Sequence, residues 1–121
     1  IRKADALLIV SPEYNGSYPG VLKNAIDYLR PEFARKTIGL STVSAGGFGG
    51  INCLGHLQHL FLSLGAVVVS TNFPVSKVQD TFDDKGLLDP SVEKRADRFI
   101  DDLLWFTEAF VTQRAKTSSH S

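Results

Sequence analysis

Three short β-prone runs, each followed by a turn and a segment of helical period or a long connection, constrain this chain more than any other feature. The runs are Ala6–Val10, Thr37–Val43 and Ala66–Ser70. Each is strand-length and mostly apolar without regular polar alternation, as expected of strands buried on both faces. Such strands, separated by helices, form a parallel sheet covered by helices. The first helix is predicted over Pro19–Leu29, with Leu22, Ala25, Ile26 and Leu29 as its apolar stripe and Lys23, Asn24, Asp27 and Arg30 facing away. Pro19 suits a first helical turn because it has no N–H to satisfy, and Pro31 stops the helix.

The second helix, Ile51–Leu64, buries Leu54, Leu57, Phe61 and Leu64 and is capped by Gly65. A longer segment, Thr71–Leu88, carries Pro74 and the turn-like Asp83-Asp84-Lys85-Gly86. The last helix begins near Pro90 with Asp89 as N-cap, and sets Val92, Ala96, Phe99, Leu103, Phe106 and Phe110 on one face. Residues 1–114 are expected to form one domain, and the polar residues 115–121 a disordered tail.

Composition removes several classes of function. Thirteen basic and thirteen acidic residues cancel, so nothing favours nucleic acid or an anionic membrane surface. No apolar run approaches the roughly 20 residues that span a bilayer, and no signal peptide is visible. The single cysteine, Cys53, rules out an internal disulfide and fits a reducing cytoplasm. The chain opens on Ile1 and contains no Met, so the genetic start is expected upstream.

Ligands of open α/β sheets sit just outside the carboxyl ends of the strands. Two loops lie there. The first, after Val10, offers the amide of Asn15, the flat faces of Tyr14 and Tyr18, and the small residues Gly16, Ser17 and Gly20, which let backbone N–H groups approach a planar heterocycle. The second, Ser44-Ala45-Gly46-Gly47-Phe48-Gly49-Gly50, offers bare backbone and the Ser44 hydroxyl. A Gly-rich loop of this kind also serves as a plain tight turn; two at consecutive strand ends favour a ligand site.

Other motifs carry less. Asn52 occupies the third glycine position of a dinucleotide fingerprint, and no phosphate-loop pattern occurs. His56 and His59 read as surface histidines and Cys53 as a packed thiol. No Ser-His-acid grouping or nucleophile elbow stands out. Trp105 falls on the polar face of its helix, beside Lys94, Arg98 and Asp101, either as an interface residue or as cover for a neighbouring loop.

The stretch Ser-Pro-Glu-Tyr-Asn-Gly-Ser-Tyr-Pro-Gly-Val-Leu-Lys-Asn-Ala-Ile-Asp-Tyr-Leu, Ser11 to Leu29, closely resembles the central motif of NADPH-dependent FMN reductases, which include chromate and quinone reductases and azoreductases. The likeness continues through Ser44–Gly50 and the turn Phe82–Leu87, and covers Ala4 to Phe110. It implies a flavodoxin-like fold, a three-layer parallel sheet with helices on both faces. Pro12, Glu13, Tyr14 and Asn15 match the loop against the ring of FMN, and Ser44, Ala45, Gly46, Gly47, Phe48 and Gly49 match the loop flanking its other side.

The implied activity is hydride transfer from NAD(P)H to FMN, then reduction of a small-molecule acceptor such as a quinone, free flavin, azo compound or metal ion. No catalytic acid or base and no metal are implied. The family tends to form homodimers or homotetramers, with the helix after the first motif near the interface. Its opening strand and its Ser/Thr- and Arg-bearing phosphate loop have no counterpart here. The three runs would then be strands three to five of the order 2-1-3-4-5, with Ala6–Val10 left as an exposed apolar edge. The alternative is a non-catalytic relative that acts through oligomerisation across that edge.

Overall fold

β2 (Thr37–Val43) organises the molecule. It is buried from Thr37 to Thr42 and pairs in parallel with β1 (Ala6–Pro12), from Ala6 opposite Thr37 to Pro12 opposite Val43. On its other side it pairs in parallel with two short strands, β3 (Val67–Val68) and β4 (Phe73–Val75). The computed structural model describes residues 1–118, and among these β1 has no second neighbour. The parallel α/β sheet is as expected.

Alternate residues of β2 serve opposite layers. Ile38 and Leu40 join a core with Ile26 of α1 (Gly20–Asp27), Cys53, Leu57, Leu60 and Phe61 of α2 (Ile51–Ser63), and Phe33 of a 3₁₀ turn, Pro31–Phe33. Phe33 and Phe61 meet edge-to-face at 5.8 Å. Gly39 points the other way. A Cβ there would stand 2.9 Å from Phe99 Cζ, so the helix carrying Phe99 rests directly on the strand backbone.

That helix runs Pro90–Ser118 and closes the second face. Asp89 caps it as expected, its Oδ1 accepting the Ser91 N–H at 2.9 Å. Val92, Phe99 and Leu103 are buried, with Ala96, Phe106 and Phe110 half-buried. The tail expected to begin at Ala115 is helical as far as Ser118; residues 119–121 lie outside the described residues. Trp105 is exposed and packs edge-to-face on its own neighbour Phe106.

Three details differ from expectation for local reasons. Pro19 is the N-cap of α1 rather than part of its first turn, since its ψ of 146° is extended. Ala25, expected in the apolar stripe, is exposed; Ile26 carries the burial. The third strand pairs over only two residues, and the chain then returns to β2 as β4 after a two-residue slip in register. Pro74, which has no N–H to donate, is accommodated because β4 lies at the sheet edge.

α2 ends as expected: Gly65 adopts φ +80°, its N–H reaches Leu62 O, and Ala66 N–H reaches Phe61 O. Those two bonds form a Schellman cap. After β4 come α3 (Val78–Thr81) and the hairpin β5 (Phe82–Asp83) with β6 (Gly86–Leu87). The Pro90–Ser118 helix is α4.

Candidate functional site at the strand tips

Because Pro12 and Val43 are register partners, the loops that follow them leave the same edge of the sheet side by side. Each is held in a defined shape. In the first, Tyr14 and Ser17 exchange both backbone hydrogen bonds, at 2.7 and 3.1 Å, across Asn15 and Gly16. Both central residues have positive φ, +53° and +81°, the arrangement of a type I′ turn, for which Asn-Gly is the preferred pair. Asn15 therefore has a conformational reason to be there, and its side chain lies exposed at the turn's apex. Tyr14 is 60% exposed. Tyr18, read from sequence as a possible ring-stacking face, instead packs half-buried against the core.

Two contacts fasten this hairpin to α2. The Glu13 carboxylate accepts the Cys53 N–H at 2.7 Å, and Ser17 Oγ lies 2.8 Å from His56 Nδ1. The first is a capping bond in all but sequence position. Gly50, the N-cap of α2, has no side chain to satisfy the orphan amides of the first turn, and Glu13 reaches the third of them from forty residues away. Glu13 was expected at the ring; its bonded oxygen is turned away to the helix. The Cys53 thiol is buried against Ser11 Oγ and Pro12 O, and that burial raises its pKa. It is an unreactive, packed thiol.

In the second loop the glycines divide into two kinds. Gly49 and Gly50 have φ of +65° and +75°, and added Cβ atoms would lie 3.0 Å from Pro74 and Thr42 respectively. The fold requires them. Gly46 has no atom within 4 Å of an added Cβ, Gly47 meets only Lys77 Cε at 4.0 Å, and neither has positive φ. Nothing in the protein requires glycine at either place; what they provide is open space beside bare backbone.

The hydrogen bonding of this loop is one-sided. Ser44 O accepts Val78 N–H, Ala45 O accepts Gln79 Nε2, Gly46 O accepts both Lys77 N–H and Ser44 Oγ, and Gly49 O accepts Thr42 Oγ1. The N–H groups of Ala45, Gly46, Gly47 and Phe48, by contrast, take no partner among the described residues. Four of the loop's carbonyls are thus occupied, while its N–H groups from Ala45 to Phe48 are free. Phe48, 86% exposed, stands at its tip. The rim is open to solvent, and a cavity of about 290 Å³ lies elsewhere, between β1, β2, β4 and α4.

The segment after β4, Ser76–Gln79, backs the second loop through the three bonds from Lys77, Val78 and Gln79. Sequence reading missed it. No sequence signal ties a stretch thirty residues downstream to the glycine run.

The family model for NADPH-dependent FMN reductase matches residues 1–80. The chain belongs to the NADPH-dependent FMN reductase family. It is 40% identical over 93 residues to an NAD(P)H-dependent FMN reductase of Schizosaccharomyces pombe, covering 77% of this chain and 45% of that one. It is 46% identical over 74 residues to a quinone reductase of Escherichia coli, covering 58% and 39%. The chain thus spans less than half the length of these relatives. Among solved structures it superposes with TM-score 0.76 and 29% identity on FerB, a flavoenzyme NAD(P)H:(acceptor) oxidoreductase of Paracoccus denitrificans, over 90% of this chain and 64% of that one. The parallel sheet and its helices are those of flavodoxin-like oxidoreductases.

FMN fits what this family member presents. Its ring is flat and is edged with carbonyl and nitrogen acceptors. The second loop supplies free donors above two glycines that leave room for it.

Proposed function

We propose that this chain carries the ring-binding part of an NAD(P)H-dependent flavin oxidoreductase that uses FMN to reduce a small electron acceptor: a quinone, free flavin, azo compound or metal ion. The observation behind this reading is the pairing of unforced glycines, Gly46 and Gly47, with four unpartnered amide donors, beside a fastened hairpin on the adjacent strand. FMN bound there would supply the redox chemistry of the reaction.

The chain's own residues bind and orient. The N–H groups of Ala45, Gly46, Gly47 and Phe48 would hold the acceptor edge of the ring, with Ser44 and Gly49 anchoring the ends of that loop. Pro12 and Glu13 set the height and tilt of the hairpin. Tyr14, Asn15 and Phe48 stand exposed at the rim, where they would border the bound ring. None of these residues is assigned a proton-transfer role. The product carrying this chain should purify yellow and oxidise NAD(P)H with a quinone acceptor; a colourless product that FMN cannot reconstitute would refute the reading.

The outward side of α1 exposes Val21 and Tyr28, which suits a homodimer or homotetramer contact there. The single thiol, free and buried, accords with a cytoplasmic location, and no helix among the described residues is long and apolar enough to cross a membrane. One observation favours the non-catalytic alternative. β1 has an unpaired edge among the described residues, with Leu8 and Val10 exposed, an invitation to strand pairing between chains. An oligomer of the 121-residue chain that binds no FMN would establish it.

A further inference from the structure

We infer that Lys77 is the counter-charge of the ring site, so that the site holds reduced FMN more tightly than oxidised FMN. The inference rests on the FMN reading above. Lys77 has φ +46° and ψ +51°, a left-handed conformation that costs a non-glycine residue on the order of 1 kcal/mol. The conformation is imposed by its neighbours: Lys77 N–H bonds Gly46 O at 2.9 Å, and Lys77 O accepts Asp80 N–H at 2.8 Å. Glycine or asparagine would sit there with less strain, so the backbone gives no reason for a lysine.

The side chain supplies one. Its Cε lies 4.0 Å from the Cβ position of Gly47, which places the stem against the second loop beside one of its unforced glycines. Its ammonium is exposed and forms no ion pair among the described residues. The acidic groups nearby do not neutralise it. Glu13 is the only acid in the two loops, and it accepts from Cys53 N–H; Asp80, one turn on, makes no ion pair with the lysine. An uncompensated cation therefore stands beside the loop that carries the four free amide donors.

A neutral ring that accepts a hydride gains two electrons and one proton, hence one negative charge. A wall of this polarity favours the charged form over the neutral one. At a solvent-open rim the preference is about tenfold, which for a two-electron couple is about 30 mV.

The test is reductive titration of FMN bound to the wild-type chain in its full product, to Lys77→Gln and to Lys77→Arg. Lys77→Gln should hold oxidised FMN as tightly as wild type and reduced FMN about tenfold more weakly, lowering the midpoint by about 30 mV, while Lys77→Arg keeps the wild-type midpoint. An unchanged midpoint in Lys77→Gln overturns the inference, as does a change confined to the KM for NADPH. Should Lys77→Gln fail to fold, the wild-type midpoint must still fall with added salt as the cation is screened, and a salt-independent midpoint overturns the inference equally. FMN binding by the wild type is read in the same titration. If it binds and the midpoints coincide, the counter-charge fails and the flavin reading stands; if it does not bind, both fail.

Discussion

Replacing Glu13 by alanine isolates the bond that fastens the first loop of the site to α2. The carboxylate accepts the Cys53 N–H at 2.7 Å from a half-buried position and does the work of the missing N-cap at Gly50. Loss of a charge-assisted cap bond costs roughly 1–2 kcal/mol, and here it leaves the amide of a buried residue without its acceptor. For a domain of this size about 1.5 kcal/mol lowers Tm by roughly 5 °C. Glu13→Gln keeps an acceptor oxygen but loses the charge and its attraction to the helix N-terminus, so about half that loss is expected. The damage should be local: hydrogen exchange should accelerate at Cys53 and in the first turn of α2, with β2 unaffected. FMN affinity should fall by about tenfold, because the hairpin retains only its His56–Ser17 contact to α2. A Tm within about 1 °C of wild type, with unaltered exchange at Cys53, would show that Glu13 fastens nothing.

Other outcomes follow from the same contacts. Gly46→Ala should leave stability within about 0.5 kcal/mol, because an added Cβ meets nothing, yet weaken FMN binding measured by fluorescence quenching. Gly50→Ala should instead cost about 1–3 kcal/mol in denaturant unfolding, since φ is +75° and Thr42 Cβ is 3.0 Å away. Gly39→Ala should cost a similar amount, about 1–3 kcal/mol, by pushing Phe99 and α4 off the sheet. The hydroxyl and amide of Ser91 hold the Asp89 carboxyl below its ordinary value of 3.8. Its stabilisation is therefore complete above that value and is lost as pH falls through the lower folded value, so Asp89→Asn should flatten the acid limb of a Tm-against-pH profile.

Much of the fold was legible because its signals are local. Thr37–Val43 was bounded from its β-prone residues, Gly65 marked the end of α2, and Asp89 the start of α4. The third strand was not, because its break into Val67–Val68 and Phe73–Val75 depends on how each piece meets β2. The helical continuation over Ala115–Ser118 was obscured by polarity alone, although Ala and Lys are good helix formers.

At the site, residue type was readable and residue role less so. The Asn15-Gly16 pair carried a hairpin signal that the wealth of polar groups around it masked. Glu13 could not be read as a helix cap, since its partner is remote in sequence. Nor could the four glycines at 46, 47, 49 and 50 be divided into required and free without knowing where Thr42 and Pro74 lie.

The ladder between β1 and β2 has a bearing on how a site of this kind can diversify. Each added residue lengthens a strand by about 3.3 Å, so two inserted into Ala6–Pro12 alone would raise one wall above the other by about 6.6 Å. A single insertion would also invert which side chains face each helix layer. Insertions at the apex, between Asn15 and Gly16, disturb neither dimension. New side chains can therefore be introduced at the crests of the two loops, while the lengths of the strands beneath them are fixed by their shared register.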